Sequence, residues 1–88
     1  KPECTRRVSA YITETYTSPP GVKYEVQDSS SNCSGSECNS KQATVTFSCS
    51  NGDYHTQRVN LTCNGSFSST EFFSADCPPS SITISASY

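Results

Sequence analysis

A chain of 88 residues with a net charge of −2, 16% charged and 32% hydrophobic residues, reads as one domain spanning 1–88. The mild acidity excludes the concentrated basic surface of a nucleic-acid binder or a cationic membrane-lytic helix, and no apolar run approaches the ~20 residues of a transmembrane helix. The polar bulk is serine and threonine rather than charge, and β-branched and aromatic residues fall in alternating runs, unlike a disordered chain.

Strand periodicity dominates, with no amphipathic helix. Val8, Ala10 and Ile12 open the chain as a strand, which leaves Tyr11 out of phase and exposed. Pro19-Pro20-Gly21 ends it. Val22, Tyr24 and Val26 then alternate with Lys23, Glu25 and Gln27. Residues 27–41 form a polar, serine-rich loop carrying Cys33 and Cys38. Ala43, Val45, Phe47 and Cys49 alternate with Gln42, Thr44, Thr46 and Ser48, up to the turn dipeptide Asn51-Gly52. Val59, Leu61 and Cys63 share a face before a second turn at Asn64-Gly65, and Phe73, Ala75 and Cys77 share another. Pro78-Pro79 separates these from a last strand with Ile82, Ile84 and Ala86. Six or seven short strands predict an all-β fold: a small, disulfide-stapled antiparallel β-sandwich or barrel.

Register narrows one turn. A two-residue loop at Asn51-Gly52 would pair Val45 with Arg58 and Thr44 with Val59, placing the apolar sets on opposite faces. An odd-length loop, or a bulge near Gly52, brings Val45 opposite Val59 or a near neighbour. That is the expectation, unless the two strands lie in different sheets.

The six cysteines, Cys4, Cys33, Cys38, Cys49, Cys63 and Cys77, predict a disulfide framework and an oxidising compartment. We therefore expect a mature secreted chain from which a signal peptide has been removed. Cys49, Cys63 and Cys77 fall on inward strand phases. Cys33 and Cys38 lie close enough in one loop to bridge each other. A loop that short is worth about 2 kcal/mol, and one of about 45–60 residues about 4 kcal/mol.

Metal and catalytic chemistry find little support. Cys33-x4-Cys38 is the only short cysteine spacing, and His55 is the sole histidine, so no metal or other cofactor is expected. His55, with Glu25 or Glu71 and Arg58, could furnish a ribonuclease, but no G-x-S-x-G elbow is present and the expectation is no enzyme. Asn32-Cys33-Ser34, Asn60-Leu61-Thr62 and Asn64-Gly65-Ser66 are glycosylation sequons. Arg6 and Arg7, beside Lys1, read as a solvated basic terminus. Tyr11, Tyr16, Tyr24, Tyr54 and Tyr88 are the better contact candidates, foremost Tyr11, with most of the others expected in the core or at its rim. The foremost recognition element is Ser34, Gly35, Ser36 and Glu37, in a hydrophilic loop tied at its neck, a device that limits the entropy lost on binding. These residues suit a protein or glycan partner, with a protease-inhibitor loop as the alternative.

Residues 43–77 resemble the second half of a sushi, or complement control protein, module. The matching motifs are Val45-Thr46-Phe47-Ser48-Cys49, Gly52-Asp53-Tyr54, Leu61-Thr62-Cys63-Asn64-Gly65-Ser66-Phe67, and Cys77. Phe67 stands where the family has tryptophan, the Cys4 to Cys49 interval is long, and a strand follows the last cysteine. The resemblance implies Cys4–Cys63 and Cys49–Cys77 pairing, with Cys33–Cys38 extra. It also implies a non-catalytic extracellular binding module.

Overall fold

The computed structural model describes residues 2–88. Lys1, the third member of the expected basic patch, lies outside the described residues. Six strands, β1 (Val8–Thr17), β2 (Pro20–Asp28), β3 (Lys41–Ser48), β4 (Tyr54–Leu61), β5 (Ser66–Phe72) and β6 (Thr83–Ser87), form two three-stranded antiparallel sheets. One is ordered β1-β2-β5 and the other β4-β3-β6. The fold is all-β and disulfide-stapled, as the alternation predicts.

Each central strand supplies the most buried positions because it is covered on both flanks. Val22, Tyr24 and Val26 of β2 oppose Ala43, Val45 and Phe47 of β3 in one shared core. Phe47 is wholly buried, packing edge-on to Tyr24 at 4.9 Å and to Phe73 at 6.3 Å. Val8, Ala10 and Ile12 close one margin of the core, together with Ile84 and Ala86. A register shift between Ile12 and Glu14 marks a bulge in β1. It puts Thr15 opposite buried Val22 and leaves Tyr16 opposite Gly21, on the outer face.

The β3–β4 loop is odd, as register demands. Residues 49–53 join the strands, the Cys49 N–H donates to the Asp53 carbonyl at 3.0 Å, and the Asn51 side chain accepts from the Asp53 N–H at 2.9 Å. Gly52 has φ of 101°, which its missing Cβ permits. Val45 pairs with Gln57, and Val59 pairs with Ala43 on the same face.

Residues 73–77 are not the expected strand. The strand is β5, immediately upstream, and its inward positions opposite β2 are Phe67, Ser69 and Glu71. These lie on the sandwich margin, where burial is slight, so no apolar alternation marks them. Phe73 and Cys77 are buried nonetheless, because the chain turns over the core here. The Phe73 N–H donates to the Pro20 carbonyl at 2.9 Å and the Cys77 N–H to the Ser74 carbonyl at 3.0 Å.

The disulfides are Cys4–Cys33, Cys38–Cys63 and Cys49–Cys77. The expected Cys33–Cys38 bridge is not formed, nor is the Cys4–Cys63 pairing implied by the resemblance. The Cys49–Cys77 pairing is present. The reason lies in main-chain pairing of polar segments. Thr5 and Ser31 form an antiparallel bridge, which brings the Cα atoms of Cys4 and Cys33 to 4.6 Å. The Cys63 N–H donates to the Cys38 carbonyl, with those Cα atoms at 4.8 Å. Two bridges thus staple the end of the sandwich holding the N-terminal arm, and one staples the other end. Among the described residues no helix is long and apolar enough to cross a membrane.

Candidate functional site

The end carrying two bridges is organised around a buried carboxylate. Asp28 is the last residue of β2 and only 4% exposed. Arg6 Nε donates to its Oδ2 at 3.1 Å and the Asn64 N–H to its Oδ1 at 3.0 Å. The hydroxyls of Ser30 and Tyr88 donate to the two oxygens as well. Burial would raise the carboxyl pKa, but the hydrogen bonds from Ser30, Tyr88, Asn64 and Arg6 outweigh it and lower it from 3.8 to about 2.

Arg6 is therefore no solvated terminal cation. Besides Asp28 it donates through Nη1 to the carbonyls of Glu37 (2.8 Å) and Asn39 (3.1 Å), and through Nη2 to that of Leu61 (2.9 Å). Its Cζ lies 5.6 Å from the Tyr88 ring centroid, and Lys41 Nζ lies 4.9 Å from the same centroid. Arg7 remains exposed. One guanidinium thus ties the N-terminal arm to the serine-rich loop and to the end of β4.

The candidate recognition residues sit on that support. Ser34, Gly35, Ser36 and Glu37 are all exposed, and Gly35–Cys38 forms a single 3-10 turn. The Glu37 N–H donates to the Ser34 carbonyl (3.1 Å), and the Ser34 N–H donates to Glu37 Oε1 (3.1 Å). Its flanks are bridged outward: Cys33 to the N-terminal arm, Cys38 to Cys63 beyond β4. The loop is anchored at both ends, though not by the single tie expected.

The remaining candidates are scattered. Tyr11 is 42% exposed on the outer face of the first sheet, where its hydroxyl donates to Glu25. Asn32, Asn60 and Asn64 are exposed. His55 Nδ1 lies 2.9 Å from Glu71 Oε2, Gln57 Nε2 donates to Glu71 Oε1 at 3.2 Å, and the imidazole stacks on Phe73 at 4.5 Å. Arg58 alternates to the other face of β4, opposite Thr44, and Glu25 lies on the far face of the other sheet. The structure thus joins His55 to Glu71 as a link between β4 and β5, but it does not bring Arg58 to them, so the alternative ribonuclease set is not assembled. All six cysteines are bridged, and no group of three or more metal-ligating side chains gathers among the described residues.

Within this cluster the sequence reads Arg6 as a solvated terminal cation and Tyr88 as one of five contact tyrosines, and it singles out no role for Asp28. Asp28 did carry a signal: it continues the inward phase of Val22, Tyr24 and Val26, so an acid there has to be buried and paired. No family model matches the chain, and neither a curated protein nor a solved structure matches it.

Proposed function

We propose that this is a secreted, non-catalytic binding protein that recognises another macromolecule, in the manner of an effector or a host-surface recognition module. The observation that carries the reading is the exposed 3-10 turn at Gly35–Cys38. Separate disulfides anchor its flanks, and Arg6 holds its carbonyls at Glu37 and Asn39. A surface ordered before contact loses less entropy on binding. Three disulfides with no free cysteine favour an oxidising, extracellular setting. The sushi-like motifs of residues 43–77 support the same class, and exposed Asn32, Asn60 and Asn64 are its candidate glycan attachments. A protease takes its substrate segment extended, so the 3-10 turn gives the inhibitor alternative less support. With Arg58 away from His55, the ribonuclease alternative has less still.

Substituting Ser36→Arg tests the reading, since Ser36 is exposed. Labelled protein should bind saturably to an array of extracellular and cell-surface proteins and glycans, and the variant about tenfold or more weakly. Saturable binding to nothing on the array, or equal binding by both proteins to every target that binds, sinks the proposal.

A further inference from the structure

The outer face of the first sheet carries an open groove of about 290 Å³, lined by Tyr16, Ser18, Pro19, Thr70 and Phe72. It lies at the Pro20 end of β2, whereas Asp28 and the anchored 3-10 turn lie at the other end. Gly21 is its floor, paired with Tyr16 on one side and Phe72 on the other. A Cβ on Gly21 would stand 2.6 Å from Phe72 Cδ1, so the phenyl ring occupies the space a side chain would fill. Phe72 is still 53% exposed, and the Tyr16 ring continues its surface at 6.2 Å and 33°. Tyr16 reaches this face only because the bulge after Ile12 resets the phase of β1. Its hydroxyl is fixed by donation to Glu14 Oε2 at 2.9 Å. The result is a tilted aromatic surface with hydroxyls of Ser18 and Thr70 at its rim.

The chemistry of the occupant follows from that lining. None of the five lining residues is charged, and the row beside them pairs Glu14, at the Tyr16 hydroxyl, with Lys23, so neither sign of charge dominates. The volume is near the lower bound of small-ligand pockets, about 300 Å³, which suits one ring and not a folded partner. An extended peptide could gain no main-chain bonds here, because the groove crosses β2, whose ladders run to β1 and β5 on its two sides. An uncharged ring with an apolar C–H face and a hydroxyl edge is a pyranose. Four residues along β2, about 13 Å, the row Tyr11–Glu25 repeats the theme of an exposed phenol held by a carboxylate.

We propose that this groove is a glycan-binding site, stacking one pyranose of a neutral oligosaccharide on Phe72 and Tyr16, with further sugars extending toward Tyr11. This site is separate from the 3-10 turn, and its failure would leave the Ser36→Arg result untouched. The test is amide-resolved NMR titration of the full chain with cellohexaose and, in parallel, chitohexaose. One or both should give saturable shifts at Tyr16, Gly21, Thr70 and Phe72, with affinity of about millimolar or tighter. Phe72→Ala should weaken binding about tenfold or more, with a dispersed spectrum showing that the fold is intact; Tyr16→Ser is the second variant. No shifts at these residues up to roughly 10 mM sugar, unchanged affinity in both variants, or binding of decaproline there in place of either sugar overturns the proposal.

Discussion

Asp28→Ala is expected to destabilise the protein by about 3–5 kcal/mol, the usual cost of breaking a buried ion pair from one side. The loss goes beyond one contact. Arg6, whose side chain is 8% exposed, would keep its charge without its carboxylate, and the Asn64 N–H, Ser30 and Tyr88 would lose an acceptor together. Small domains have only about 5–15 kcal/mol in hand, so the variant should unfold at a much lower urea concentration with an unchanged slope. The same carboxylate predicts an acid dependence. Its pKa is depressed in the folded state, from 3.8 to about 2, so its stabilisation is complete above about 3.8 and is lost as pH falls toward about 2. The gap between the urea midpoints of the wild type and Asp28→Ala should be widest above about pH 3.8 and should narrow as pH falls through about 2, where the folded-state carboxyl is half protonated. A constant gap across that range would show that the carboxylate acts by shape and not by charge.

The legibility of this fold followed burial. Strands β2 and β3 bury one face against the other sheet along most of their length, and β1, β4 and β6 over part of theirs, so apolar residues alternate visibly in those stretches. Strand β5 turns Ser69 and Glu71 inward at the sandwich margin, where Glu71 meets His55 and Gln57, and nothing there requires an apolar residue. The exposure of Ser34, Gly35, Ser36 and Glu37 followed from their polarity. Their anchoring did not, because it depends on Thr5 pairing with Ser31 and on Arg6 reaching the carbonyls of a distant loop. Pairings between polar backbones leave no side-chain period to read. The Tyr16 and Phe72 platform was hidden for a related reason: a bulge changes which residues share a face, and a simple period-two reading cannot anticipate it.

Replacing both Cys49 and Cys77 by alanine should cost more stability than removing either other bridge. Sequence separations of 29, 25 and 28 residues for Cys4–Cys33, Cys38–Cys63 and Cys49–Cys77 make the three loop entropies nearly equal. Each is worth about 3.5 kcal/mol by the chain-entropy relation, so native contacts have to decide the order. Cys49 and Cys77 are 7% and 2% exposed and belong to the core that holds Phe47 and Phe73, whereas Cys4, Cys33, Cys38 and Cys63 are half-buried. Losing the two core sulfurs leaves a void whose lining relaxes only in part, and that cost adds to the entropy. The bridge also fixes residues 73–77, which no strand ladder holds, against the loop at 49–53. Asn51 Nδ2 reaches Ser74 Oγ (3.1 Å) and Asp76 Oδ1 (2.9 Å) across that junction, and Asp53 accepts from the Ser74 N–H at 3.0 Å. These exposed hydrogen bonds are too weak to hold the two loops together unaided. Urea unfolding of the three double-alanine variants should therefore rank Cys49/Cys77 lowest, with the other two close together. Equal midpoints for all three would mean that loop entropy alone sets the contribution of each bridge.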